Sequence, residues 1–255
     1  MTSEMWLNNL IAYALQILIL IAAGAIAIAA FRIRRPGARL IVLRLMLLSI
    51  LALPFIQPWQ APSVDSRRAS TAPAAVNHAP TSNVQVATGL PTRVRSFGFN
   101  ANTYLTLLGV CMLLRVAWLA LGIFSLRRQK RLAAPLTEVP PCLSALEQRL
   151  VVRAQFALSQ SVGGPVTFGL FRPMVLLPIQ FQEMSAAVQE AIVCHELLHV
   201  KRRDWISAVA EELILALFFF HPAIWWLIGQ IRLTREQVID RQTIELTESD
   251  RKSVV

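Results

Sequence analysis

The sequence predicts a mainly α membrane protein: three transmembrane helices, then a domain with a small β hairpin or sheet and a re-entrant or interfacial helix pair. Three observations carry this. Hydrophobic residues make up 55% of the 255-residue chain and charged ones only 16%, against about 25% in an ordinary soluble domain, and mean hydropathy is +0.52. Long apolar runs recur in the first half. The Arg and Lys residues behind the net charge of +10 cluster beside those runs. Such clustering follows the positive-inside rule and argues against a nucleic-acid-binding surface. Cys111, Cys142 and Cys194 show no paired spacing, which argues against a disulfide framework.

Residues 7–30 carry no charge and as a helix would span about 36 Å, enough to cross a bilayer. Only Glu4 precedes them, while Arg32, Arg34, Arg35 and Arg39 come after. A cleaved leader would carry its positive charge in front, so an uncleaved helix with its N-terminus outside is expected. Pro36-Gly37 turns the chain into a second span, 40–57. Residues 58–100 are rich in Pro, Ala, Ser and Thr without helical or strand period, as in a flexible extracytoplasmic loop. His78 reads as a solvated residue within it. The third span, 103–126, is closed by Arg127-Arg128-Gln129-Lys130-Arg131, which places the second half of the chain in the cytoplasm. Arg115 falls near the middle of that span, where a cation snorkels or finds a partner. The division is a membrane domain, 1–126, and a cytoplasmic-face domain, 127–255.

After Pro135, Pro140 and Pro141, residues 143–158 read as an amphipathic helix. Residues 161–178 hold two short apolar runs around Arg172-Pro173, the pattern of a hairpin. An edge strand there, with Thr167, Phe168 and Gly169, could bind substrate backbone by strand addition. Residues 184–204 read as a helix with Ser185 at its N-cap. They contain His195-Glu196-Leu197-Leu198-His199, a His-Glu-x-x-His motif. On a helix, positions i and i+4 share a face, so both imidazoles can address one metal ion. Glu196 lies beside them, placed to take a proton from a water that zinc acidifies to a pKa of about 7.

Residues 205–229 are nearly as apolar as the spans, but Glu211, Glu212 and His221-Pro222 interrupt them. A single crossing would also carry every later residue to the far side from the histidine pair, and a zinc peptidase site needs a third protein ligand. Two helices joined at His221-Pro222, with Trp225 and Trp226 at the interface, resolve both objections. Candidate third ligands are then Glu211, Glu212, Glu236, Asp240, Glu245 and Glu248, and spacing does not choose among them. His221 reads as a turn residue and Cys194 as a buried one.

Taken together, Thr167-Phe168-Gly169-Leu170-Phe171-Arg172-Pro173, the zinc motif with Arg203-Asp204-Trp205, His221-Pro222-Ala223-Ile224-Trp225-Trp226, and Arg235-Glu236-x-x-x-Asp240 resemble the BlaR/MecR antirepressor family of membrane zinc peptidases. The resemblance implies a gluzincin-like domain with Zn2+ on His195, His199 and Glu236. Glu196 would be the general base and acid, with Asp240 and Asp204 behind the ligands to orient them. It implies a multi-pass protein of a bacterial inner membrane, its zinc site at the cytoplasmic face. The expected function is signal transduction by cleavage of a cytoplasmic repressor or of the chain itself. Expected partners are the lipid bilayer, a protein substrate such as a transcriptional repressor, and a second copy in a homodimer, with no direct nucleic-acid binding. Ile239 stands where the family commonly has Cys, a position that is not a ligand. Family members continue into a fourth span and a sensor domain, whereas this chain stops at Val255, as a fragment or a shortened protein would. Two other functions share the motif. One is a membrane quality-control zinc protease; the other is a non-catalytic transducer whose structural metal would need a closed four-ligand shell.

Overall fold

The computed structural model describes residues 3–56, 100–136 and 141–253. The expected extracytoplasmic loop, with His78, lies outside the described residues except for Asn100. Three helices are long and apolar enough to cross a membrane: α1, Ser3–Ala30; α2, Pro36–Ile56; and α3, Ala101–Leu132. Pro36 opens α2, where the missing N–H costs nothing. Arg32, in a left-handed conformation at φ 46°, turns the chain between α1 and α2. The third helix runs past 126 through its basic cluster to Leu132.

The second half begins with the short strand β1, Ala134–Pro135, and α4, Pro141–Leu150. There the expected helix over 143–158 stops early. Val151 turns left-handed at φ 55°, and the Glu147 side chain accepts a hydrogen bond from the Ala154 amide at 2.9 Å. Residues Gln155–Ser159 then form β2 instead. They pair in parallel with the fully buried strand β4, Met174–Pro178, so sheet burial overrides the local helical period. Strand β3, Val166–Phe168, runs antiparallel to β4 with Thr167 opposite Val175. The sheet order is β1-β2-β4-β3, which leaves β3 at an edge. A short 3-10 turn, Ile179–Glu183, leads into α5, Ala186–Arg202.

The expected continuous helix 184–204 is also broken. Arg203 sits left-handed at φ 54°, ψ 39°, and α6, Asp204–Leu217, sets off in a new direction. A short turn brings the chain to α7, Pro222–Ser253, so two helices joined at His221-Pro222 do form. The turn lies deep among the first helices. His221 donates from Nε2 to the Ala14 carbonyl at 2.9 Å, and the Phe218 ring meets Tyr13 at 6.1 Å. Further along α7, Arg39 of α2 donates to Gln230 at 2.6 Å. The hairpin therefore leaves at the end of the bundle where α1 turns into α2.

Two apolar cores result. The first joins Ile17 and Ile21 of α1, Leu43 and Ile50 of α2, and Leu227 and Ile231 of α7. The end of the Met46 side chain of α2 packs directly over Gly24 of α1, in the space a Cβ would take. The second joins Leu146, Val175, Val193, Cys194, Leu197 and Ile239, binding α4, β4 and α5 to the later half of α7. By contrast α3 buries none of its residues. Arg115 on α3 stacks its guanidinium 5.3 Å from the centre of the Trp225 ring.

Buried charge locks α6 to α7. Arg235 donates to Glu211 at 2.8 Å, both buried, and Arg232 bridges Glu211 at 3.3 Å and Glu212 at 2.7 Å. Removing one member of a buried pair strands the other, at a cost of about 3–5 kcal/mol, whereas an exposed pair contributes about 0–1 kcal/mol. Thermal melting should therefore show Glu211→Ala severely destabilised, while Glu212→Ala melts close to wild type.

Candidate metal centre

Two helical turns face each other. The i, i+4 spacing of α5 puts His195 and His199 on one face, and the same spacing on α7 presents Glu236 and Asp240. Burial of Leu197 and Val193 against Ile239 brings the two helices together. The Nε2 atoms of His195 and His199 are 3.2 Å apart. The Glu236 Oε2 atom lies 3.6 Å from the first and 3.4 Å from the second. These are the donors that gather as a possible metal cluster among the described residues, all within 4.8 Å of one another.

The Nδ1 atoms on the far side of each ring show what the donors can do. His199 Nδ1 lies 3.0 Å from Asp204 Oδ2, and His195 Nδ1 lies 3.3 Å from Asp240 Oδ1. A carboxylate only accepts, so His199 donates its Nδ1–H outward to Asp204, and Asp240 faces the corresponding nitrogen of His195, which turns both Nε2 atoms inward. Two Nε2 atoms and a carboxylate oxygen then share one small space, which a bound proton or a metal cation satisfies. Donors 2.0–2.1 Å from a tetrahedral zinc would stand about 3.3 Å apart, close to the three separations here. The residues therefore fit a zinc ion.

The titration behaviour reflects the same field. Burial pushes His199 down, but its hydrogen bonds to Asp204 and Glu236, helped by the Glu236 and Glu196 charges, outweigh this and raise its pKa to about 9. Glu236 is held well below the usual carboxylate range, first by its hydrogen bonds to His195 and His199, with burial opposing. Surroundings that keep a proton on an imidazole also favour a divalent cation.

Glu196 is buried beside the triad and accepts a 2.5 Å hydrogen bond from the Thr167 hydroxyl. Both line a cleft of about 480 Å³ with His195, His199 and Glu236. The expected substrate strand needs one correction. Thr167 and Phe168 belong to β3, but Gly169 lies past its end at φ 100°, where an added Cβ would meet the Arg172 carbonyl at 2.9 Å. Phe168 turns its ring inward, 6.1 Å from Trp205. Of the other candidate carboxylates, Glu211 and Glu212 pair with Arg235 and Arg232, Glu245 pairs with Arg241, and Glu248 is exposed. His221 is held against α1, and Cys194 lies in the second core.

Two features escape a reading of the residues alone. The grip of Thr167 on Glu196 links positions 29 apart in the chain. The left-handed Arg203 brings Asp204 back onto His199, at a residue type that gives no warning of that conformation.

Residues 12–253 match the BlaR1 peptidase M56 family. Regulatory protein BlaR1 of Bacillus licheniformis is 31% identical over 78 residues, which is 31% of this chain and 13% of that protein. The methicillin resistance mecR1 proteins of Staphylococcus aureus and Staphylococcus epidermidis are each 29% identical over 89 residues, 34% of this chain and 15% of theirs. The chain thus matches only a small part of the length of these relatives. With its three apolar helices and a family match over residues 12–253, it belongs to the BlaR1 peptidase M56 family.

Proposed function

We propose that the chain is an integral-membrane zinc metalloendopeptidase acting in signal transduction, which cleaves a cytoplasmic repressor or itself. The observation that carries this is the triangle of His195, His199 and Glu236 at tetrahedral separations, with a buried carboxylate alongside. Among the described residues the cluster offers three donors, not the four of a closed structural shell. Relatives named for regulation and for methicillin resistance support a signalling role. The metal centre lies at the same end of the bundle as the arginine-rich turn 32–39, through the Arg39–Gln230 contact. The positive-inside rule assigns that end to the cytoplasm.

In this reading His195, His199 and Glu236 hold the zinc, while Asp204 and Asp240 fix the two imidazoles in the ligating tautomer. A zinc ion bound there would supply Lewis acidity for the scissile carbonyl and for a water molecule. Glu196 accepts the proton of the attacking water and delivers it to the leaving amine. Thr167, donating to one Glu196 oxygen, aims the other into the cleft. The outer edge of β3, unpaired among the described residues, offers backbone N–H and C=O groups to an extended substrate.

The direct test is mass spectrometry of new protein termini in membranes from cells carrying wild type or Glu196→Gln. Products, including those of the chain itself, should appear in wild type alone; equal products in both would overturn the reading. Purified Glu196→Gln should retain one zinc per chain. His199→Ala and Glu236→Ala should lose the metal, as elemental analysis would show. Thr167→Val should keep zinc but slow cleavage roughly ten- to a hundredfold, since a hydrogen bond to a charged group contributes about 1.5–3 kcal/mol; an unchanged rate would remove Thr167 from the machinery.

A further inference from the structure

The turn from α1 into α2 gathers four guanidinium groups, Arg32, Arg34, Arg35 and Arg39, and among the described residues none is paired with a carboxylate. Charge at a helix end follows from membrane topology alone, but here three of the four line one cavity. It has a volume of about 520 Å³ and lies between α1, the start of α2 and α7. Arg32, Arg34 and Arg39 form its polar side, while Ala25, Ile28 and Leu43 form an apolar wall. Trp226 of α7 lines it as well. Arg35 takes no part. Arg39 is held in place by its Nη2 bond to Gln230, yet its Nε is buried with no acceptor among the described residues. Arg39 therefore keeps donor capacity that the described residues do not use.

The geometry points to a binding site for the phosphate group of an anionic phospholipid in this cavity. Three guanidinium groups around one cavity suit a phosphate diester, and the Gln230 bond holds that of Arg39 in place. The apolar wall and Trp226 suit the glycerol and first acyl carbons, which an inorganic anion lacks. Basic pockets between membrane helices on the cytoplasmic side are where such headgroups bind. Occupancy would also brace the Arg39–Gln230 contact, and Gln230 precedes Glu236 on the same helix. The site itself does not depend on zinc chemistry.

The test uses the full chain in phosphatidylcholine nanodiscs doped with phosphatidylglycerol, with lipid retained after detergent extraction counted by native mass spectrometry. Wild type should retain phosphatidylglycerol in preference to phosphatidylcholine. Arg32→Gln and Arg34→Gln should each weaken retention about fivefold, on the order of 1 kcal/mol per basic residue at a membrane surface. Arg35→Gln, equal in charge but outside the cavity, should retain lipid as wild type does. An equal loss in Arg35→Gln would reduce the effect to a diffuse field and overturn the site. So would the absence of any phosphatidylglycerol preference in wild type, a measurement that needs no variant to fold. Inorganic phosphate added at millimolar concentration should not displace the lipid; displacement would identify free phosphate as the occupant and overturn the lipid assignment.

Discussion

Three electron-pair donors aimed at one point repel each other, and nothing in the local chain would assemble them. The centre exists because apolar packing holds α5 against α7. Leu197, Val193 and Cys194 lie on the inner side of α5, and Ile239 lies between Glu236 and Asp240 in the α7 sequence. Burying such side chains contributes about 1.5–3 kcal/mol each, enough to keep a carboxylate and two imidazoles within contact distance. Asp204 and Asp240 complete the arrangement from outside by holding the ring protons away from the centre. The core supplies position and the outer carboxylates supply protonation state.

Much of this was legible in the sequence because it rests on period and composition. The three apolar helices, their basic flanks and the shared face of His195 and His199 all stem from spacing. The helix pair could be inferred from one proline and from the need to bring a later residue back to the histidines. Glu236 could not. Six carboxylates were equivalent by helical period, and what separates them is the partner each one meets. Arg232 and Arg235 engage Glu211 and Glu212, while Glu236 faces the imidazoles.

The misread elements share a physical cause. Residues 151–158 have a plausible helical period, but β4 presents a fully buried partner strand, and backbone pairing across a sheet is a long-range gain that no local window registers. Gly169 looked like part of a strand and is the residue that ends it. At Arg203 the left-handed conformation is held by its neighbour: a straight continuation would carry Asp204 away from His199, and the kink returns it.

The length of α7 gives the molecule a mechanical property. One end is pinned near mid-bundle, where the neighbouring His221 meets Ala14, and the same unbroken helix carries Glu236 and Asp240. From 221 to 236 the axis covers about 22 Å at 1.5 Å per residue. A tilt of about 3° about the inner end therefore swings Glu236 sideways by about 1.2 Å, while zinc–ligand distances tolerate about 0.2 Å. The second core and the buried Arg235–Glu211 pair, which clamp the later half of α7 to α5 and α6, are what hold the donor set against such a tilt.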